Sequence, residues 1–243
     1  MRVPQEVYDE ILSFTDFQTA ILMGNEYAIS RTFNPKIHDW NWAAKNGHLE
    51  VVKWLHENRP GGSKNAMNCA ARSGNLEVVK WLHENRRPAV YTKKAMNSAA
   101  RNGHLDVLKW LHKNRYGCTT TAMDWAAKNG HIDVLKWLHE NRHEGCSHLA
   151  IGFAAERGHL DVAKWLHASN HIEWVAMEGA AVNGRLEVVK WLYETYNCSF
   201  TERTMRTTTY HGHLEVVNFL QERYINRGSM YVPRIRRRPS FKK

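Results

Sequence analysis

Residues 43–57 read AAKNGHLEVVKWLHE, and residues 126–140 read AAKNGHIDVLKWLHE. The same pattern recurs around seven glycines spaced 26 to 29 residues apart: Gly47, Gly74, Gly103, Gly130, Gly158, Gly184 and Gly212. Self-similarity of this kind is typical of stacked supersecondary units that each bury one face against a neighbour. The pattern therefore predicts a repeat array over residues 37–226 and not a single closed core.

Each repeat is predicted to contain two short helices. The first carries a Met-x-x-Ala-Ala segment and ends at the glycine, which readily adopts the positive φ of a helix C-terminus. The second has an acidic residue in its first turn, where the helix dipole favours negative charge. Its Val, Leu and Trp residues form an apolar stripe, so we expect the repeated Trp to be a core residue. The double alanine indicates close approach by the equivalent helix of the next repeat.

The segment Ala-Ala-x-x-Gly-His-Leu-Glu-Val-Val-Lys-x-Leu resembles the central signature of ankyrin repeats, and it recurs through residues 37–226. The resemblance implies an all-α fold, an α-solenoid of stacked helix-turn-helix repeats. The repeats are about five residues shorter than the usual ~33, so we expect reduced hairpin loops. Similar short repeats occur in expanded ankyrin families of protists and of large DNA viruses. The function implied is non-catalytic protein binding in a concave groove.

In ankyrin repeats the residues after Ala-Ala face the groove and contact partners. The matching partner-binding candidates in this chain are Lys45, Arg72, Arg101, Lys128, Glu156 and Tyr210. The four cations among them would form a basic ladder that steers an acidic protein segment into the groove. The alternative interpretation is a solvated helix face without a partner.

The two ends of the chain differ from the repeats. In the segment 1–36, residues 3–14 resemble the opening of an F-box, which implies docking to a Skp-family adaptor of a cullin ubiquitin ligase through Pro4, Glu6, Ile11, Leu12 and Phe14. The alternative is a helical cap, which repeat arrays need at their ends. Residues 227–243 carry seven cations and no acid, and they are predicted to be a disordered basic tail. This tail also fits a nuclear-import signal or a nucleic-acid tether, so nucleic-acid association is the alternative function.

No constellation of residues predicts catalysis or a cofactor. Residues 139–143 spell the HExxH motif of zinc proteases, but His139 to Arg142 is text that other repeats share. We expect the motif to fall at a helix end, where His139 and His143 need not share a face, and we predict no metal site. The two repeating histidine columns, one after the glycine and one late in the second helix, are expected to have structural roles.

Composition limits the class of protein further. Of 243 residues, 43% are apolar, and 34 Lys and Arg against 24 Asp and Glu leave a net charge of +10. No apolar run approaches the ~18 residues that cross a bilayer, and the N-terminus lacks a secretory signal. The four cysteines form no CxxC pair and read as free thiols. We therefore expect a monomer in the cytoplasm, or in the host cytoplasm if the protein is viral.

Overall fold

The computed structural model describes residues 40–58, 65–85, 93–168, 175–196 and 200–226. These ranges contain seven helix pairs and no strand. The first helices of the pairs are α1 (Trp40–Asn46), α3 (Ala66–Ser73), α5 (Lys93–Arg101), α7 (Thr120–Lys128), α9 (Leu149–Arg157), α11 (Val175–Val182) and α13 (Glu202–Tyr210). The second helices are α2 (Leu49–Asn58), α4 (Leu76–Asn85), α6 (Leu105–Lys113), α8 (Ile132–Asn141), α10 (Leu160–Ala168), α12 (Leu186–Tyr196) and α14 (Leu214–Asn226). The predicted all-α solenoid of paired helices is confirmed.

Each first helix ends as the sequence predicts. All seven repeat glycines have positive φ, between 71° and 88°. At Gly74 the backbone is left-handed, and the glycine N–H donates to Ala70 O at the end of α3. The left-handed residue reverses the chain at once, so the second helix begins two residues later. The connections at residues 114–119 and 142–148 form no strand, in agreement with the expected reduced hairpins.

The double alanines lie at the centre of the packing. Both alanines are fully buried in each of the first six repeats. In the first compact unit, which extends to Ala122, α3 packs between α1 and α5. In the second unit, from Met123 onwards, α11 packs between α9 and α13. Small side chains allow this close approach, as the sequence predicted.

The repeated tryptophans are half-buried and not fully buried as predicted, although Phe219 at the end of the column is buried and Trp191 packs against the core. Val51, Val52 and Leu55 of the second helix are buried, whereas Trp54 is only half-buried, and the later repeats follow the same division. The reason lies in the late histidine column. Histidine rings of one repeat meet tryptophan rings of the next edge to face, with centroids 5.2 to 5.9 Å apart, in the pairs His56–Trp81, His83–Trp110, His139–Trp165 and His167–Trp191. These histidines thus support the interface between second helices.

The seventh repeat uses threonines where the others use alanines. Thr208 is buried, and its hydroxyl donates to Thr204 O at 2.7 Å. Thr209 donates to Met205 O at 2.8 Å. These bonds within the helix satisfy hydroxyls that would otherwise be costly at a packed position. The substitution therefore keeps the helix while changing its side chains.

Candidate partner-binding surface

The predicted contact residues Lys45, Arg72 and Arg101 lie in the last turns of α1, α3 and α5, and all three are exposed. Each directly follows a buried Ala-Ala pair, so the packing of the first helices fixes the backbone from which it projects. Lys45 and Arg72 form no ion pair with any carboxylate in the described part of the chain. We call these three cations the basic surface.

The residue after a repeat glycine can bond to the end of the first helix of the repeat before it. Asn75 Nδ2 donates to Ala44 O at 2.9 Å and to Lys45 O at 2.8 Å. His104 Nε2 lies 3.1 Å from Arg72 O, and because a carbonyl only accepts, Nε2 carries the proton. Arg185 Nε donates to Glu156 O at 3.2 Å in the second unit. One repeat therefore caps the first helix of the repeat before it.

These caps give the first histidine column its structural role, as predicted. A Cβ at Gly74 would lie 2.6 Å from His104 Nδ1, and a Cβ at Gly130 would lie 2.6 Å from His159 Nδ1. The glycine is thus required twice, once for its positive φ and once for the ring that covers it. The candidate contact residues therefore stand on a rigid support.

The first helices of the first unit carry only positive charge. Helices α1, α3 and α5 contain no Asp or Glu, while α5 adds Lys93 and Lys94 to the basic surface. The described acidic residues of this unit lie on its second helices, where Glu50 and Glu77 pair with Lys53 and Lys80 at 2.7 Å. The basic surface is therefore not neutralised by its own helices.

The three remaining candidates have different surroundings. Lys128 is half-buried, and its Nζ lies 4.9 Å from the ring centroid of Trp125 and 4.7 Å from that of Phe153. Glu156 is half-buried at the end of α9, whereas Tyr210 is 80% exposed on α13. Helices α7, α9, α11 and α13 carry four acidic and four basic residues. The second unit therefore does not continue the uniformly basic character that the sequence predicted for Lys128.

Sequence reasoning missed Trp125 and Phe153. Both occupy the position directly before Ala-Ala, where the other repeats have Trp42, Cys69, Ser98, Gly179 and Thr207. The two rings are nearly parallel, at 16°, with centroids 6.3 Å apart. Variation at one position within otherwise constant repeats is the signal that could have identified them. We call Trp125, Phe153 and Lys128 the aromatic cluster.

The HExxH segment does not assemble a metal site among the described residues. Helix α8 ends at Asn141, so His143 lies beyond the helix, as predicted, while His139 packs against Trp165. Burial, and secondarily Asp124, raise the pKa of Cys146 to about 11, so its thiol stays protonated at neutral pH. The side-chain hydrogen bond from Arg142 lowers the pKa of Glu144 to about 2. In the described ranges no three His, Cys, Asp or Glu side chains are placed to hold a metal ion.

Several predictions fall on residues outside the described ranges. These are the adaptor-binding candidates Pro4, Glu6, Ile11, Leu12 and Phe14, and the basic tail at 227–243. In the described part, no helix combines the length and the apolar character needed to span a membrane.

Comparison with known proteins agrees with the fold. A family model described as ankyrin repeats (3 copies) matches residues 40–124, and one described as ankyrin repeats (many copies) matches residues 123–167. Together they cover residues 40–167, more than half of the 243. No curated protein sequence matches the chain. The crystal structure of the human ASB11 ankyrin repeat domain is 18% identical, with a TM-score of 0.51 over 64% of this chain and 82% of that chain. At this identity the likeness shows the fold alone.

Proposed function

The chain belongs to the ankyrin repeat proteins, and from this premise we propose that it is a non-catalytic scaffold whose basic surface binds an acidic segment of a partner protein. Ankyrin repeats in general serve as protein-interaction domains. One observation carries the charge preference of the partner. The three first helices of the first unit display exposed cations and contain no acidic side chain.

The physical basis is complementarity on a rigid support. Lys45, Arg72 and Arg101 each follow a buried pair of alanines, and inter-repeat caps bond to the carbonyl oxygens of Lys45 and Arg72. Exposed ion pairs contribute only about 0.2–1 kcal/mol each. Three of them, acting with attraction at longer range, give selectivity for acidic segments and fast association.

A labelled peptide tests this proposal. The probe is a fluorescein-labelled peptide of six Glu-Gly pairs, and its affinity for the full chain is measured by fluorescence polarisation. Replacing Lys45, Arg72 and Arg101 with Ala should weaken binding about tenfold, because three modest ion pairs are lost. The matched variant replaces Lys53, Lys80 and Lys109, which lie on second helices of the same unit, and should stay within about twofold of the parent. Equal losses in both variants would contradict the proposal, since net charge alone would then explain binding.

The same assay distinguishes the proposed protein binding from the alternative function, nucleic-acid association. A labelled twelve-residue oligothymidine that binds more tightly than the Glu-Gly peptide would favour it. Loss of that binding on deleting residues 227–243 would locate the contact in the tail, where seven of the chain's cations lie. We favour a protein partner because ankyrin repeats are interaction domains for proteins.

A finer proposal concerns residues 1–36. We propose that Ile11, Leu12 and Phe14 dock a Skp-family adaptor, which would make the chain a substrate receptor of a cullin ligase in the cytoplasm, acting as a monomer. The support is the sequence resemblance alone. Purified adaptor should bind the full chain, and Leu12→Asp should abolish that binding while leaving the thermal unfolding of the repeats unchanged. Failure of the parent chain to bind would leave these residues as a cap.

A further inference from the structure

The aromatic cluster is a second feature of the molecular surface, and it differs from the basic surface in kind. Trp125 and Lys128 lie one turn apart on α7, so their side chains share one face of that helix. Phe153 comes from α9 of the next repeat. All three side chains are half-buried, and no described carboxylate forms an ion pair with Lys128. A cation is therefore held beside two ring faces at the surface.

The two rings preorganise the Lys128 ammonium group for binding an anion. Ring faces attract a cation through their quadrupole, at a distance within about 6 Å of the centroid. Both distances from Lys128 Nζ meet that limit, at 4.9 and 4.7 Å. A side chain ordered in advance loses less conformational entropy when a carboxylate binds it than an exposed lysine such as Lys45 does.

The repeat after Phe153 adds no side chain at the position that the two rings occupy. The next repeat has Gly179 at the position that Trp125 and Phe153 occupy in theirs. A Cβ at Gly179 would have only Glu156 Cβ, at 3.7 Å, and Glu156 Cα, at 3.9 Å, within 4 Å. No side chain from α11 therefore extends from this position towards Phe153.

The neighbouring acids determine where a carboxylate fits. Asp124 accepts the backbone N–H of Ser147 at 2.7 Å, so it is already engaged. Glu156 follows Phe153 by one turn on α9 and places negative charge on the Phe153 side of the cluster. A ligand carboxylate is consequently favoured at Lys128 and disfavoured near Glu156.

We infer that the aromatic cluster binds an aromatic side chain that adjoins a carboxylate, as an acidic-aromatic pair in a partner peptide would present it. The ring contacts Trp125 and Phe153, and the carboxylate pairs with Lys128. The inference rests on the proposed function, because it assigns a second recognition point to the same protein-binding scaffold.

Two small probes test the inference, because they share one ring and differ in charge. N-acetyltryptophan carries a carboxylate, and N-acetyltryptophanamide does not. Each is titrated into the full ¹⁵N-labelled chain while the indole N–H resonance of Trp125, assigned with Trp125→Phe, is followed by NMR. N-acetyltryptophan should shift this resonance and bind about threefold more tightly than the amide, the ratio expected for one exposed ion pair.

Substitutions assign that difference to Lys128. Lys128→Met keeps the aliphatic stem and should abolish the threefold preference, while the matched Lys136→Met on α8 should retain it. Glu156→Gln should tighten N-acetyltryptophan and leave the amide unchanged, because only the carboxylate probe is repelled. Equal binding of the two probes, or no shift at Trp125, would overturn the inference. Tighter binding of uridine monophosphate at the same resonance would overturn it in favour of a nucleic acid.

The result of these titrations can be distinguished from the result of the Glu-Gly peptide assay, which tests the proposed function. If the cluster fails its test while the peptide still requires the basic surface, the proposed function stands and the inference falls. If the peptide also binds without regard to Lys45, Arg72 and Arg101, the proposed function falls as well.

Discussion

The two units share one scaffold and differ in the surface that it carries. Ala70 and Ala71 of the first unit and Ala154 and Ala155 of the second are all fully buried, so the first helices approach one another in the same way. After these alanines the first unit has the exposed cations Lys45, Arg72 and Arg101, whereas the second has Lys128, which is half-buried beside two rings. The residues that flank Ala-Ala can therefore change without disturbing the stack. The proposed binding residues and the residues that stabilise the stack therefore occupy separate positions.

The largest expected effect tests the shared scaffold. Gly74→Ala in the first unit and Gly130→Ala in the second should each destabilise the protein by about 3 kcal/mol. Each alanine would be strained at positive φ and would also overlap a histidine ring whose Nδ1 lies 2.6 Å from the new Cβ. Urea unfolding followed by circular dichroism measures both losses. Clearly different losses in the two units would mean that the scaffolds are not equivalent.

Gly212→Ala is the matched control for this prediction. Gly212 also has positive φ, but no described atom lies within 4 Å of a Cβ at that position. Only the backbone strain remains, at about 1 kcal/mol. A loss as large as that of Gly74→Ala would show that the overlap with the histidine ring contributes little.

Substitutions in the late histidine column should change the free energy of unfolding by a smaller amount, and by different amounts in the two units. His83 and His139 both meet a tryptophan edge to face, but His83 Nδ1 also lies 3.1 Å from the hydroxyl of buried Tyr116. We expect His83→Ala to cost about 2 kcal/mol and His139→Ala about 1 kcal/mol, since only the former loses a hydrogen bond. The free energies of unfolding in urea provide the comparison.

Tyrosine tests whether the ring or the polar nitrogen matters in this column. The sixth repeat has Tyr193 at this position, packed edge to face on Phe219 with centroids 5.9 Å apart. His139→Tyr should therefore change stability by less than about 0.5 kcal/mol. A loss equal to that of His139→Ala would refute the account of this column as an aromatic interface.

Salt should separate the two candidate binding features. Raising sodium chloride from roughly 50 to 500 mM should weaken the Glu-Gly peptide several-fold, because exposed charges are screened beyond the Debye length. N-acetyltryptophan should weaken by less than about twofold, since its affinity comes from ring contact and a single ion pair. Polarisation and NMR titrations in the two salt concentrations measure these changes. Equal salt dependence of the two ligands would contradict the proposed difference between the basic surface and the aromatic cluster.

The smallest expected effect is on pH dependence in the first unit. Burial beside Trp42 lowers the pKa of His48 from its usual 6.5. A lowered histidine pKa stabilises the fold fully above 6.5, and this contribution is lost as pH falls through the folded-state value. His48→Asn, which places the residue found at position 75, should reduce the fall in Tm between about pH 7 and pH 5 by roughly 1 °C. An unchanged difference in Tm would contradict this assignment.

The sequence was sufficient to predict what every repeat needs. Helix pairs, glycine ends, buried alanines and a structural histidine after the glycine all follow from positions that are nearly constant. A residue that recurs in the repeats makes the same contact in more than one of them. The hydrogen bond between His104 and Arg72 O is an example. The tryptophans misled the same reasoning, because a large apolar side chain on an apolar stripe can stay half-buried while a histidine ring of the neighbouring repeat packs against it.

The aromatic cluster depends on residues that come from different repeats. Trp125 and Phe153 are 28 positions apart, and their stacking requires the register between α7 and α9. Lys128 looked like one more member of a basic ladder until its two ring neighbours were known. A column of residues shows which positions vary, but only the geometry shows which of them meet.

The central claim is that the basic surface selects acidic protein segments, and an unbiased selection tests it most directly. A random twelve-residue peptide library displayed on phage is selected on the full chain and on the chain with Lys45, Arg72 and Arg101 replaced by Ala. The account predicts peptides enriched in Asp and Glu on the parent chain and loss of that enrichment on the variant. Selected peptides with no excess of acidic residues, or the same acidic enrichment on both proteins, would contradict it.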